Sequence, residues 1–421
     1  MLFSNVKEEE FELSNEFVKN GIIYKEVRLK NRGCRCLKCG TFHTNVKEYK
    51  LKKITHSIYA HQKCIVLYKQ RRFICPKCKS TQMEDNPFKS DINRVSDKTI
   101  ENILTDLKRY NNTFTAVGER NHVTTRGVIK IFDRYCQMDR LPLPKVLCVD
   151  ELYFSRKRKK KYVLILINFF NRAIIDILKD RDKHTFGSYL RSIPVKERDK
   201  VEYVAIDMND SYRDVLKIYL HKAILIVDSF HVVKRVGVAF DDIRKKVMRR
   251  FDKDKKSDQY YLLKYRDELL YLKDVSNEYR YNHHFHFQMS DYELLTQMLN
   301  IDPELKKAYN LYHIYLNFNN TDYDDLNKCR NDLLEIINDY KISGIDEFYS
   351  LAETLDNWKD EIVASFSKVK GKRVSNGPIE GRNSLAKKIL RLANGYHNFK
   401  RFRNRIMYSL NKMAKHKFIR K

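Results

Sequence analysis

Three acidic residues that lie far apart in the chain are the candidates for catalytic chemistry. Asp150 and Asp207 each follow a short apolar run, and Glu380 lies near the start of a late helical segment. Converging carboxylates can hold two magnesium or manganese ions roughly 4 Å apart. Such ions activate a water or a 3′-hydroxyl and stabilise the leaving oxygen in phosphodiester cleavage and strand transfer. In this arrangement Asp150 would bind both ions, Asp207 one of them and Glu380 the other.

Five apolar runs of strand length indicate the sheet that would position the first two acids. Helical stretches at 185–192, 211–221 and 230–250 give the order βββαβαβα, which is that of the ribonuclease-H-like fold. In that fold the first and fourth strands are neighbours, so carboxylates at the ends of these strands should converge. The five runs are Lys145–Val149, Tyr162–Phe169, Ala173–Leu178, Glu202–Ile206 and Ala223–Val227.

Other acids near these strands have different interpretations. Glu151 should point to the opposite face of its strand, and Asp210 is set aside because Asp207 directly ends the apolar run. Asp228 and His231 follow the fifth run. They are auxiliary active-site candidates, in which the histidine contacts DNA and the acid orients it. The structural alternative is that Asp228 caps the next helix and His231 packs beneath the site.

The segment that carries Glu380 should form an amphipathic helix that Asn394-Gly395 ends. The predicted polar face contains the acid and four other residues, and the opposite side contains an apolar stripe. Lys387 and Arg391 are therefore candidates for DNA contacts. The polar face comprises Glu380, Asn383, Ser384, Lys387 and Arg391, and the apolar stripe Ile379, Leu385, Ile389 and Leu392.

Two CxxC knuckles predict a structural zinc site near the N-terminus. Cys36 and Cys39 form the first knuckle, and Cys75 and Cys78 form the second. Four thiolates make a closed tetrahedral site, which leaves no position for catalysis. The alternative is that these cysteines carry no metal, and Cys34 is a spare candidate that could compete with Cys36.

Residues 96–137 have the helical periodicity and polar turns of a helix-turn-helix. The segment 124–135 is the candidate recognition helix, with Thr124, Thr125, Arg126 and Lys130 as DNA contacts. The alternative is a three-helix bundle that packs without touching DNA.

A net charge of +29 and a pI near 9.6 favour a polyanionic partner, whereas the alternative is a generally lysine-rich protein. The loop residues Arg156, Lys157, Arg158 and Lys159 could bind the DNA backbone or simply be solvated. Trp358 is predicted to lie in the core rather than to stack on a base. No membrane-length apolar run or signal peptide is present, which predicts an intracellular protein with reduced cysteines.

Several segments together resemble the ISL3 family of bacterial insertion-sequence transposases, over roughly residues 30–410. The N-terminal knuckles around Arg71-Arg-Phe73 contribute to this resemblance. The other segments are Leu147-Cys-Val-Asp-Glu151, Ala205-Ile-Asp-Met-Asn-Asp-Ser-Tyr212, Val227-Asp-Ser-Phe-His231, Ser375-Asn-Gly-Pro-Ile-Glu-Gly-Arg-Asn383 and Gly395-Tyr-His-Asn-Phe-Lys-Arg-Phe-Arg-Asn-Arg-Ile406.

The resemblance implies a DDE transposase with Asp150, Asp207 and Glu380 as its metal-binding triad. It also implies that the zinc module and helix-turn-helix bind the terminal inverted repeats of a mobile element. The expected reaction is magnesium- or manganese-dependent cleavage at the element ends and strand transfer into target DNA. The protein should act as a homodimer or larger complex on paired ends, without a membrane partner, in the bacterial cytoplasm at the nucleoid.

The predicted architecture is a multidomain α+β and α/β protein, with a ribonuclease-H-like catalytic core interrupted by a helical insertion. The same architecture allows two alternative functions. One is a non-catalytic zinc and helix-turn-helix regulator derived from such a transposase, and the other is a nuclease that cuts without joining. The predicted domains are a lead-in (1–33), a zinc ribbon (34–90), a helix-turn-helix (91–140), the first part of the core (145–250), a helical insertion (251–365) and the core completion with basic C-terminal helices (366–421).

Overall fold

The computed structural model of the chain describes residues 8–56, 62–88, 94–155 and 159–417. The chain divides into two compact units, each formed by segments that are distant in sequence. Unit 1 comprises Met1–Arg140, Tyr153–Lys161 and Arg382–Lys421, and unit 2 comprises Leu141–Leu152 and Tyr162–Gly381.

The described residues contain strands and helices in every part of the chain, and none of the helices is long and apolar enough to cross a membrane. The strands are β1 (Phe11–Lys19), β2 (Ile22–Leu29), β3 (Cys34–Arg35), β4 (Phe42–His43), β5 (Val46–Thr55), β6 (Cys64–Ile74), β7 (Thr81–Met83), β8 (Val146–Tyr153), β9 (Tyr162–Asn168), β10 (Ile174–Leu178), β11 (Tyr203–Ile206), β12 (Ile224–Val227), β13 (Tyr279–Asn282), β14 (Phe287–Ser290), β15 (Lys368–Val369) and β16 (Lys372–Arg373). The α-helices are α1 (Asp97–Lys108), α2 (Phe114–Asn121), α3 (Thr125–Tyr135), α4 (Lys183–Arg191), α5 (Val195–Arg198), α6 (Asp210–Tyr219), α7 (Ser229–Arg249), α8 (Asp258–Tyr265), α9 (Asp291–Leu299), α10 (Pro303–Asn320), α11 (Leu326–Lys341), α12 (Asp346–Asn357), α13 (Lys359–Ala364), α14 (Gly377–Leu392) and α15 (Phe399–Leu410).

The main sheet of unit 2 has the strand order β10-β9-β8-β11-β12. Strand β11 pairs in parallel with both β8 and β12, and β10 is antiparallel to β9. All five predicted strands are therefore confirmed, with bounds that differ by a few residues at the ends. Their nearly continuous apolar runs bury side chains on both faces of the sheet.

Helices α7 to α13 of unit 2 pack into one core with the main sheet, in which α7 contacts α10 and α12. The predicted helical character of 251–365 is confirmed, although a short hairpin of β13 and β14 interrupts it. Trp358 is only 3% exposed, and the guanidinium of Arg213 lies 4.3 Å from its ring centroid. The predicted core position of this tryptophan is confirmed.

The N-terminal sheet of unit 1 extends beyond the two knuckles. Its strand order is β1-β2-β6-β5, and β7 also pairs with β6. Residues 11–29, which the sequence analysis treats as a lead-in, form β1 and β2, and β2 pairs in parallel with β6. The burial of alternate residues in β2 explains this arrangement, because such a strand needs a neighbour to cover one face.

Helices α1, α2 and α3 of unit 1 form the predicted helical segment. The side chains of Ser96, Thr113 and Thr124 each accept a backbone N–H at the helix start, which fixes the three N-termini. A Cβ on Gly118 would lie 2.5 Å from the Val123 carbonyl oxygen, so only glycine permits the close α2–α3 turn. The left-handed backbone of His122 completes this turn.

Helix α15 belongs to the same unit and packs on α1, rather than completing a separate C-terminal region. Arg405 is 1% exposed and donates to the carbonyl oxygens of Leu107, Arg109 (3.1 Å) and Asn112 (2.6 Å). These carbonyls lie at and just beyond the end of α1, where the helix offers no N–H donors for them. A buried arginine therefore ties α15 to the end of α1.

Replacing Arg405 with methionine should destabilise unit 1 by about 2–5 kcal/mol, because it leaves buried carbonyls without their donor. The measurement is the free energy of chemical unfolding, monitored by circular dichroism. Lys400→Met, at an exposed position of α15, is the matched control. Equal stability of the two variants would contradict a structural role for the Arg405 guanidinium.

Candidate active site and metal centres

Asp150 and Asp207 lie side by side at one edge of the unit 2 sheet. The parallel register pairs Ala205 with Cys148, so the two acids occupy equivalent positions two residues further along β8 and beyond β11. Their carboxyl groups lie within hydrogen-bonding distance of one another. The convergence predicted from the strand order is therefore confirmed for this pair.

Burial raises the pKa of both carboxyl groups. The pKa of Asp150 rises to about 7, through desolvation first and the charge of Asp207 second. The pKa of Asp207 rises to about 6, with desolvation as the largest cause, although a hydrogen bond from Asn376 opposes the rise. Ionising both of two neighbouring carboxyl groups in a partly buried site costs free energy, which a bound cation would offset.

Asn376 holds the acidic site together, although the sequence analysis did not single it out. It is 1% exposed, and its Nδ2 donates to Asp207 Oδ1 (3.1 Å) and to the Val149 carbonyl (3.5 Å). Its backbone N–H donates to Asp228 Oδ1 (3.4 Å). Its Oδ1 is buried without a protein partner among the described residues. The available signal was a polar residue in a Ser-Asn-Gly-Pro segment immediately before a helix.

Asp228 and His231 lie beside Asp207, and ligand atoms of all three residues lie within 4.8 Å of one another. His231 Nε2 is 3.2 Å from Asp207 Oδ1, and the imidazole is 36% exposed. Asp228 occupies the N-cap position of α7 and is 3% exposed. Burial is also the largest cause that raises the pKa of Asp228. Asp228 therefore occupies the N-cap position of α7 and also lies beside Asp207.

The two acids that the sequence analysis set aside have protein partners. Glu151 accepts a hydrogen bond from the Tyr212 hydroxyl (2.6 Å) and pairs with Arg181. Asp210 is largely exposed and pairs with Arg213 (2.7 Å). Neither carboxylate belongs to the cluster around Asp207.

Glu380 is exposed on the first turn of α14, and its backbone N–H donates to the Asn376 carbonyl (3.3 Å). Among the described residues, the carboxylate is not one of the groups that converge within 4.8 Å of Asp207. One predicted helix face needs correction. Asn383 is 5% exposed and Leu392 is 48% exposed, so Asn383 belongs to the buried side and Leu392 does not. The predicted Ile379 and Ile389 are buried, together with residues 386 and 390.

The four predicted zinc ligands converge in unit 1. Sulfur atoms of Cys36, Cys39, Cys75 and Cys78 lie within 4.8 Å of one another, with 3.5 Å between the sulfurs of Cys36 and Cys78 and of Cys39 and Cys75. A tetrahedral zinc site with Zn–S bonds near 2.3 Å has sulfur–sulfur edges of about 3.8 Å. The sulfurs are therefore already arranged at the spacing that zinc requires.

The two knuckles repeat one backbone conformation, which explains how their sulfurs meet. The N–H of Gly40 donates to the Cys36 carbonyl (2.9 Å), as that of Lys79 does to the Cys75 carbonyl (3.0 Å). Gly40 and Lys79 both have a left-handed backbone. The Ser80 hydroxyl, as the largest cause, lowers the pKa of Cys36 to about 5, and a thiolate is the form that binds metal.

The predicted recognition residues lie at the start of α3. Thr124 uses its hydroxyl to accept the Gly127 N–H (3.2 Å), so this side chain has a capping role in the protein. Thr125 is half-buried, and Arg126 and Lys130 are exposed. Arg126 and Lys130 therefore have the accessibility that a phosphate or base contact requires.

The remaining predicted DNA contacts have different placements. Arg156, Lys157 and Arg158 lie outside the described residues, whereas Lys159 is exposed. The exposed Lys387 and Arg391 are one helical turn apart on α14.

Comparisons with known proteins identify the family of this chain. A transposase family model, that of the ISL3-type DDE transposases, matches residues 147–406, which include all three candidate acids and the Asn376 segment. The chain is also 22% identical over 246 residues to the transposase for insertion sequence element IS1001 of Bordetella parapertussis. This match covers 56% of the chain and 59% of that relative, so the chain spans about three-fifths of the relative's length. The family match extends over more than half of the residues, and the chain therefore belongs to the ISL3 family of transposases.

Proposed function

We propose that the protein binds the terminal inverted repeats of an insertion sequence and catalyses metal-dependent strand cleavage and strand transfer. The observation that carries this proposal is the hydrogen-bonding proximity of the Asp150 carboxyl group, within β8, to the Asp207 carboxyl group, just after the adjacent parallel strand β11. An acid pair of this kind is destabilising when both groups are charged and no cation is bound, and the partial exposure of both residues leaves the pair accessible to a ligand.

The main sheet of unit 2 is proposed to be a ribonuclease-H-like core. Its order, with the first three strands consecutive and the fourth and fifth added in parallel beside the first, supports this assignment. The helices between 251 and 365 are then an insertion between the last core strand and Glu380. Helices α4 and α5 lie between β10 and β11, and α6 connects the parallel strands β11 and β12, which supports the assignment.

The donor set fits magnesium or manganese, because it consists chiefly of carboxylate oxygens. Those of Asp207 and Asp228 lie within 4.8 Å of one another and of a ring nitrogen of His231, and Asp150 adjoins Asp207. Asp150, Asp207 and Glu380 would hold the ions. When bound, two such ions activate the nucleophile and stabilise the leaving oxygen of the phosphodiester. Asn376 and His231 orient Asp207 from two directions, and the exposed Glu380 extends from the turn that follows Asn376.

The four-cysteine cluster is proposed to bind one structural zinc ion. The closed set of thiolates and their spacing fit zinc better than a catalytic metal. Helix α3 is proposed to enter the major groove of the terminal repeat with Arg126 and Lys130, and the net charge of +29 supports a DNA partner. Recognition of two ends calls for a homodimer or larger complex.

The proposal is tested with purified protein and DNA that carries a terminal repeat. We expect magnesium- or manganese-dependent nicking at the repeat end, followed by joining to a target duplex. A regulator would bind the repeat without cutting it, and a nuclease would cut without joining. Either of these results would replace the proposed activity with that of the corresponding alternative.

Asn376→Ala should reduce cleavage about 10- to 100-fold and raise the metal concentration needed for half-maximal activity. The physical reason is the loss of the amide that fixes Asp207 and Val149, since a ligand left without its partner binds metal less well. The measurement is a metal titration of the nicking rate. Ser375→Ala changes the preceding side chain only, and serves as the control. If both variants had the same titration curve as the wild type, Asn376 would have no positioning role.

A further inference from the structure

Unit 1 contains a cavity of about 720 Å³ between the segment 153–155 and the end of α14. Its volume lies within the roughly 300–1,000 Å³ of small-ligand sites. The cavity is separate from the acidic cluster, since all of its lining residues belong to unit 1. Nothing in the proposed cleavage reaction requires it.

Aromatic side chains form a fixed wall of this cavity. Phe154 is 3% exposed, and its ring centroid is 4.6 Å from that of Phe402 and 6.1 Å from that of Phe399. The half-buried Tyr396 packs against Phe402 (5.8 Å) and Phe114 (6.3 Å). Because neighbouring rings hold these side chains, a flat ligand would meet a rigid surface and would not have to order it.

The rim of the cavity is cationic. Lys387 and Arg391 lie one turn apart on α14, and His397 follows, all three with exposed side chains. Among the described residues, those that line this cavity include no acidic side chain. The groove beside His231 in unit 2 differs, because Asp242, Asp346 and Glu347 offset its Lys234 and Arg235. The unit 1 cavity therefore favours an anionic ligand.

A single unpaired nucleotide combines the properties that the cavity selects. Its base presents a flat face, which base pairing and stacking cover in a duplex, and its phosphate is anionic. The Asn394 amide and Ser155 hydroxyl offer donors and acceptors for a base edge. We propose that this cavity binds one unpaired DNA nucleotide, which stacks on the aromatic wall while Lys387 and Arg391 bind its phosphate. This inference rests on the proposed action on DNA and adds a single-strand specificity to it.

The test uses the full chain without added magnesium or manganese, so that binding is separated from cleavage. One probe is a repeat-bearing duplex with a three-nucleotide overhang that contains 2-aminopurine, and the second is the same duplex with a blunt end. We expect the overhang to tighten binding about 5- to 150-fold, the range that one stacked base gives. Stacking should also quench the 2-aminopurine fluorescence.

Two kinds of variant test the assignment. Arg391→Ala and His397→Ala change exposed positions that the fold tolerates, and Tyr396→Leu removes a ring that Tyr396→Phe retains. The first three should each lower the ratio of overhang binding to blunt-duplex binding, and Tyr396→Phe should keep that ratio. His397→Ala and Tyr396→Leu should do so without weakening blunt-duplex binding. The controls are Tyr110→Leu and Lys98→Ala, which alter an exposed ring and an exposed cation elsewhere in unit 1.

The outcomes distinguish this inference from the function on which it rests. An unchanged overhang preference and unchanged quenching in Arg391→Ala and His397→Ala would overturn the nucleotide site, while duplex binding and cleavage would leave the proposed function in place. If the wild-type chain bound neither probe, both proposals would fail.

Discussion

Replacing Asp150 or Asp207 with asparagine should abolish metal-dependent DNA cleavage, with a loss of at least about 10³-fold. Each substitution keeps the shape of the side chain but removes a carboxylate from the pair that is proposed to hold the metal. The measurement is the single-turnover nicking rate on a repeat-bearing duplex. Asp210→Asn is the matched control, because this exposed acid in the same segment pairs with Arg213.

The same substitutions should stabilise the metal-free protein above neutral pH. The folded-state pKa values of about 7 for Asp150 and about 6 for Asp207 lie above the ordinary value of 3.8. An acid whose pKa is raised by folding loses its contribution to stability as pH rises through the folded-state value. The wild type should therefore lose stability between about pH 4 and pH 7, whereas asparagine removes that loss.

We expect a gain on the order of 1 kcal/mol or more at pH 8 for Asp150→Asn, measured by thermal unfolding without divalent metal. Magnesium should stabilise the wild type more at pH 8 than at pH 6, since both carboxyl groups must ionise to bind it. Magnesium should have little effect on the variant. A variant that is less stable than the wild type at pH 8 would contradict the unfavourable charge pair.

Cys36→Ser or Cys75→Ser should remove zinc from the protein and unfold the knuckle region of unit 1. Apparent binding energies of structural zinc are about 10–16 kcal/mol, which is large compared with the stability of a small module. The measurements are zinc content by mass spectrometry and near-ultraviolet circular dichroism. Binding to the terminal repeat should weaken together with the loss of metal.

Cys34→Ser provides the matched control for the zinc site. Its sulfur is half-buried and lies 3.8 Å from His43 Nε2, outside the cluster of four. This variant should retain one zinc ion per chain. Loss of zinc from Cys34→Ser, with retention in Cys36→Ser, would show that Cys34 rather than Cys36 is the zinc ligand. A wild-type protein without zinc would remove the metal from the proposal altogether.

The sequence predicts the unit 2 sheet well because its strands are apolar and short, and because helical segments separate the last three. Asp150 and Asp207 could be placed together, since a parallel register brings the carboxyl ends of adjacent strands to one edge. The zinc cluster could be predicted for a similar reason, because each CxxC knuckle is local. In these cases the decisive geometry lies within a few residues of the side chain.

The features that the sequence did not reveal depend on contacts between distant segments. Asn376 is 169 residues from Asp207 along the chain, and no local pattern shows that its amide reaches that carboxylate. The basic sequence around Arg405 predicts an exposed cation, yet this side chain is buried against the end of α1. Asn383 was predicted on the exposed face because it is polar, but its burial depends on which parts of the fold pack against α14.

The hydrogen bond between Asn376 and Asp207 also affects when the protein can become active during synthesis. A ribosome that adds about 5–20 residues per second needs roughly 8–34 s to translate the 169 residues that separate these partners. During that interval the nascent chain has Asp150 and Asp207 but lacks the amide that orients Asp207. The proposed catalytic centre is therefore completed late in translation, after most of unit 2 has been made.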